Sequence, residues 1–229
     1  MSKPCFDWHQ RKTPESSRHL NSSLNYANAK AFKTELLSSL QEMNSLSAIL
    51  THLSCKVGLT HYEVVSFNRH RASLEQRILC LPVATANTPE DELDAHIFNA
   101  SRVAGLICAN YLLRELSPML VVLDRLRQNL AEILALIKDP EKGKARTSSK
   151  EMLLWVYFVG GMICPRREGY ARNIATLMKS LSMNDWQTLD KCLKRHLLPA
   201  KMYDENCRAL WAEVKAKRSL LALETCNDT

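Results

Sequence analysis

Apolar side chains recur every three or four positions along most of this chain. The first sustained run begins at Phe32 and continues through Leu36, Leu40, Met43, Leu46, Ile49, Leu50, Leu53 and Val57, with Gly58 placed to end a helix. Ahead of it, residues 1–30 are polar, carry only scattered aromatics (Phe6, Trp8, Tyr26) and show no period, which predicts a mobile arm. A less regular second segment holds Tyr62, Val65, Leu74, Ile78 and Leu79 and closes at Pro82. Thr88, Pro89, Glu90 and Asp91 then make a helix start: a capping hydroxyl, a proline at the first helical position and carboxylates at the positive helix end. Leu93, Ile97, Ala100, Ala104, Ile107, Cys108, Tyr111 and Leu112 line the face behind it. Ser117 and Pro118 restart the chain, with Leu120, Leu123, Leu126, Leu130, Ile133, Leu134 and Ile137 turned inward.

Residues 138–150 (KDPEKGKARTSSK) have no apolar anchor and read as a surface connection. Three or four shorter helices are expected after it. In one, Asn184 caps with Gln187 three positions on, and Trp186, Leu189, Leu193 and Leu197 face inward. In the next, Asp204 and Glu205 open the helix, Tyr203, Cys207, Leu210, Trp211 and Val214 form its stripe, and Lys215, Lys217 and Arg218 stand at its end. The pattern predicts an all-α fold: one irregular helical domain over residues 31–229, resembling a bundle-like array, behind the arm of residues 1–30.

Composition agrees, since 6 Gly and 8 Pro in 229 residues leave few turns for a sheet protein. Residues 152–164 form the one continuous apolar run, but its 13 residues fall short of the roughly 20 that a bilayer span needs. A buried core helix is the expectation, with no membrane role. The eight cysteines, at positions 5, 55, 80, 108, 164, 192, 207 and 226, include no Cys-x-x-Cys. Zinc ribbons, zinc fingers and thioredoxin-type sites are thereby excluded, and reduced, buried thiols in an intracellular compartment are expected.

A net charge of +7 would suit an acidic partner, but the basic residues stand in short clusters at 69–71, 142–146, 166–167, 194–196 and 215–218. Solubility explains such scatter better than an acidic partner does. No basic helix interleaved with aromatics is present, and the four tryptophans fall at apolar-stripe or arm positions. Enzyme signatures such as GxSxG, HExxH and GxxxxGK[ST] do not occur. Glu90, Asp91, Glu92 and Asp94 could chelate Mg²⁺ but are better read as an acidic helix start. Cys192 and His196, four apart with Cys207 further on, could offer ligands to zinc; a semi-buried Cys beside a surface His is the simpler reading. No catalytic, cofactor-binding or metal-binding residue is therefore assigned from the sequence.

The strongest pattern lies in residues 152–214. LLWVYFVGGMIC (153–164), GYARNIATLMKSL (169–181), MNDWQTLDKCLKRHLLP (183–199) and YDENCRALWAEV (203–214) together resemble the C-terminal part of the fungal-specific transcription factor regulatory domain. Leu154, Trp155, Gly160, Gly161, Trp186, Leu193, Leu197, Leu210, Trp211 and Val214 carry the likeness in order and approximate spacing, and residues 93–116 resemble the family's preceding helix. Trp155, Gly160, Gly161, Trp186 and Trp211 are read as packing devices, the glycines admitting a close helix and the indoles filling space between helices.

Family members usually carry a six-cysteine binuclear zinc cluster beginning Cys-x-x-Cys, and this sequence contains none. The resemblance thus implies a nuclear, also cytoplasmic, regulatory role without its own sequence-specific DNA-binding module. It further implies contacts with transcription machinery or regulatory proteins, homo- or heterodimerisation within reach, no cofactor, no enzymatic activity, and DNA contact that is indirect or non-specific. The alternative is an all-helical enzyme or small-molecule-binding protein whose site does not show in the sequence.

Overall fold

The computed structural model describes residues 21–54, 60–85, 89–112, 120–137, 147–196 and 205–227. Within them the chain forms α1 (Asn21–Ser54), α2 (His61–Cys80), α3 (Pro89–Leu112), α4 (Leu120–Ala135), α5 (Thr147–Ile163), α6 (Glu168–Ser180), α7 (Trp186–His196) and α8 (Glu205–Asn227). No strand occurs among the described residues, so the fold is all-α as the periodicity predicts.

Helix α5 is the axle. Its run from Met152 through Met162 is apolar on every side, and all of it is buried. A helix without a polar face must be covered all round, and α3, α4, α6, α7 and α8 all pack against α5. On one flank α1, α2 and α3 pack against one another, and on the other α6 lies along α8. One continuous core joins the flanks, with Leu36, Leu40 and Met43 of α1, Ile97 and Ala104 of α3, and Leu210 and Val214 of α8 all buried in it.

Helix α2 starts on a reciprocal cap that the apolar pattern does not announce. Thr60 Oγ1 accepts from the Glu63 amide at 3.3 Å, and the Thr60 amide donates to Glu63 Oε2 at 2.8 Å. Its inward stripe is Phe67, Leu74 and Ile78. The expected members Tyr62, Val65 and Leu79 are instead 81%, 43% and 60% exposed. Two carboxylates of α1 clamp this helix, since Arg77 donates to Glu35 at 2.8 Å and to Glu42 at 2.7 Å.

Several boundaries differ from the sequence pattern. Helix α1 already runs from Asn21, while residues 1–20 of the expected arm lie outside the described residues. The expected stops and starts at Gly58, Thr88, Ser117 and Pro118 also lie outside them. Helix α5 begins at Thr147, inside the stretch read as a surface connection. Ser149 is buried there and donates to Asp94 Oδ1 of α3 at 3.0 Å, so a polar sequence is tied down by a side-chain bond. Helix α8 runs on to Asn227, well past Arg218. Lys217 and Arg218 therefore lie mid-helix, where Lys217 pairs with Glu168 at 2.7 Å and Arg218 donates to the Asn184 carbonyl at 2.6 Å.

Asn184 is thus held by Arg218, and its neighbour Asp185 caps α7 by accepting from the Thr188 amide at 2.7 Å. The preceding turn closes α6 with a Schellman arrangement: Met183 N–H reaches the Met178 carbonyl at 2.9 Å and Ser182 N–H the Lys179 carbonyl at 3.1 Å. Ser182 takes the left-handed position of that motif at φ 55, where glycine is the usual occupant.

Candidate functional site

The five signature residues converge on α5 and the helices that enclose it. Gly160 and Gly161 face Tyr170 of α6: a Cβ on Gly160 would stand 2.5 Å from Tyr170 Cε1 and 3.2 Å from Leu130 Cδ2 of α4. On Gly161 it would meet Leu210 Cδ1 of α8 at 2.9 Å and Tyr170 Cβ at 3.1 Å. Real Cβ atoms essentially never come within 3.0 Å of a neighbour, so the pair of glycines sets how near α6 and α8 come to the axle, with Leu130 of α4 in tight contact beside them. Tyr170 in turn packs edge-on against Tyr157 at 6.3 Å between centroids. Burial pushes both phenols up to about 12, helped at Tyr157 by Tyr170 and at Tyr170 by Cys164, so both are neutral at physiological pH.

Trp155 is wholly buried on α5. Trp186 opens α7 and packs against Trp211 of α8 at 5.3 Å and Phe158 of α5 at 6.1 Å between centroids. Both are only partly buried, so they form the outer wall of the core and Trp155 its interior. Leu193, Leu210 and Val214 are buried around them, and Leu197 lies outside the described residues.

The other sequence candidates separate into two groups. The acidic stretch is not gathered into a chelating set among the described residues: Glu92 lies 3.6 Å from His96, Asp94 receives Ser149, and the Glu90 and Asp91 side chains are outside the description. By contrast, Cys192 and His196 of α7 do come together, and with Glu151 of α5 instead of Cys207. One ligand atom from each of the three lies within 4.8 Å of the others.

Burial, followed by the Glu151 charge, raises the Cys192 thiol to about 11. Burial, assisted by Arg195, lowers His196 to about 4, so its imidazole is neutral at physiological pH. The His196 ring also packs beside Trp155 at 6.1 Å between centroids. Sequence pattern alone places His196 at the surface and cannot supply Glu151, which is 41 positions from Cys192 and reaches it only because α5 and α7 pack together.

The expected thiol burial holds for Cys108, Cys192 and Cys207, with Cys164 half-buried; Cys80 is exposed on the last turn of α2. The basic clusters are largely engaged within the chain. Arg71 bonds Glu75 at 2.7 Å, Arg167 bonds Asn206 at 2.6 Å, Lys194 bonds Asp190 at 2.7 Å and Arg195 bonds Glu151 at 3.2 Å. Residues 142–146 lie outside the description. None of the described helices is long and apolar enough to cross a membrane.

Neither the curated proteins nor the solved structures yield a match to this chain. The fungal-specific transcription factor domain does match, over residues 2–188. The matched stretch takes in α1 through α6 and the start of α7, and leaves Trp211 and the rest of the α8 motif beyond its end. Since the match covers most of the chain, and Trp155, Gly160, Gly161 and Trp186 within it meet around one central helix, this chain belongs to the fungal-specific transcription factor domain family.

Proposed function

We propose that the chain is a transcription-regulatory module of the zinc-cluster factor type. It acts in the nucleus through protein contacts, and catalyses no reaction. Family membership over residues 2–188 is the observation that carries this reading. Its partners are components of the transcription machinery or other regulators, including a second copy of the chain or a homologue.

Selective DNA reading is assigned to another element, because base-specific contact needs side chains held rigidly against base edges. The arrangement of charge supports that division. Arg71, Arg77, Arg167, Lys194, Arg195 and Lys217 each answer a carboxylate or amide of the same chain. The residual attraction of a chain of net charge +7 to phosphates is of the non-specific, salt-sensitive kind.

Titration of the purified chain against promoter and scrambled duplexes at low and physiological salt tests the DNA side. Equal binding that disappears at physiological salt is expected, whereas selective binding that survives it overturns the reading. A fusion behind a heterologous DNA-binding domain tests the regulatory side, with altered reporter output expected.

A further inference from the structure

A buried imidazole keeps both of its nitrogens bonded, because each unanswered polar atom out of water costs on the order of 1–3 kcal/mol. His196 departs from that rule. Both ring nitrogens are shut away from solvent, and neither has a hydrogen-bond partner among the described residues. Around it stand the buried Cys192, one helical turn earlier on α7, and Glu151 on α5, with one donor atom from each within 4.8 Å. Arg195 approaches Glu151 Oε1 at 3.2 Å, which leaves the second carboxylate oxygen able to act and fixes the group in place. Nitrogen, sulfur and oxygen donors presented by two packed helices are the donor set of a borderline-soft divalent ion, and an i, i+4 pair sends two of them from one helix face.

We propose that Glu151, Cys192 and His196 are the protein ligands of a zinc-class divalent ion that ties the C-terminal turn of α7 to the first half of α5. The ion gives the unanswered imidazole a partner, and the two anionic ligands balance its double charge in a half-buried place. Tetrahedral zinc bonds of about 2.0–2.3 Å hold such donors roughly 3.5 Å apart. The three side chains therefore need to close by about an ångström, which is within the reach of small χ rotations. Binding converts the Cys192 thiol to a thiolate bonded to the metal and releases one proton to solvent, so uptake is accompanied by a drop in pH in unbuffered solution. The site lies beside Trp155, so occupancy would stiffen α7 against the axle of the fold.

Cobalt(II) is the probe, added to the purified full-length chain kept reduced with a phosphine. Uptake of one equivalent is expected, with a near-ultraviolet sulfur-to-cobalt charge-transfer band and visible bands of tetrahedral intensity; zinc should then displace the cobalt and raise the Tm. Cys192→Ala should abolish the charge-transfer band. Glu151→Gln, at a half-buried position where shape is kept, should remain folded by circular dichroism, weaken metal binding by about tenfold or more and lose the zinc-dependent rise in Tm. The proposal is overturned by cobalt uptake without a sulfur band, by a band that persists in Cys192→Ala, or by unchanged affinity in Glu151→Gln. The last comparison decides the matter even if Cys192→Ala does not fold.

Discussion

Gly160→Ala adds one methyl group to the centre of α5, and two opposing effects decide its sign. Alanine is the better helix former by about 1 kcal/mol, so local propensity alone makes the variant more stable. The new Cβ would lie 2.5 Å from Tyr170 Cε1, 3.2 Å from Tyr170 Cδ1 and 3.2 Å from Leu130 Cδ2. The atom in the way is a ring carbon of a partly buried tyrosine already packed against Tyr157, so relief requires moving α6 or the ring instead of swinging a free chain end. Overpacking of this kind costs about 1–3 kcal/mol and here falls toward the upper end, which leaves a net loss of about 1–2 kcal/mol after the propensity gain.

Gly169→Ala is the control: it sits on α6, with nothing within 4 Å of the added carbon, and should gain a few tenths to about 1 kcal/mol. Urea unfolding followed at 222 nm should move the two midpoints in opposite directions with unchanged m-values. Tyr170→Leu should recover part of the loss in the Gly160→Ala background and not in the Gly169→Ala background. If Gly160→Ala stabilises as much as Gly169→Ala, the glycine is not what sets the helix spacing and the packing reading of the motif fails.

Trp155→Ala, which removes a wholly buried indole, should cost about 3–5 kcal/mol in chemical unfolding, and Trp211→Ala clearly less because its ring is only partly covered. Equal losses would place both rings at the same depth, contrary to the structure. Ser182→Gly should stabilise the α6–α7 turn by about 0.5–1 kcal/mol, since a non-glycine residue at φ 55 pays for a steric clash that glycine lacks; calorimetry showing a lower Tm would count against the assigned turn. Hydrogen bonds from Thr188 hold the Asp185 carboxyl below the usual aspartate range. A depressed folded-state pKa gives stability that is full above the unfolded value and is lost as pH falls through the folded one. Asp185→Ala should therefore lower the Tm near neutral pH, with the gap to the parent closing as the pH drops below the ordinary aspartate pKa; a gap that widens on acidification would refute the cap.

Where apolar spacing is dense, the fold was legible in the sequence. In α3 and α4 the described residues Ile97, Ala100, Ala104, Ile107, Cys108, Leu130 and Leu134 are buried as the spacing predicts, because many apolar residues leave one consistent stripe, and the continuous apolar run of α5 is buried all round. Helix α2 has few, so two stripes compete: Phe67, Leu74 and Ile78 share a face, while Tyr62, Val65 and Leu79 lie off it and point to solvent. Phe67 could have been found from its spacing, since Leu74 stands seven positions after it and Ile78 four after Leu74. Asn184 and Asp185 are equally good caps by residue type, and the choice between them falls to Arg218, which comes from α8. The same limit applies to the site residues. Cys192 and His196 could be paired by their spacing on one helix, but Glu151 joins them only through α5–α7 packing, which no local pattern encodes. The family likeness was legible in combination, through Trp155, Gly160, Gly161 and Trp186, although the match runs from residue 2 and stops at 188, short of the Leu210 and Trp211 motif that also suggested it.

The most direct test of the regulatory role is reporter transcription in cells from the full chain fused behind a heterologous DNA-binding domain, measured against that domain alone. The Trp155→Ala fusion, brought to equal abundance, serves as the unfolded control. A clear change in output from the parent fusion, lost in the Trp155→Ala fusion, is the expected result. Output from the parent fusion equal to that of the DNA-binding domain alone, with the chain folded and in the nucleus, would contradict the account.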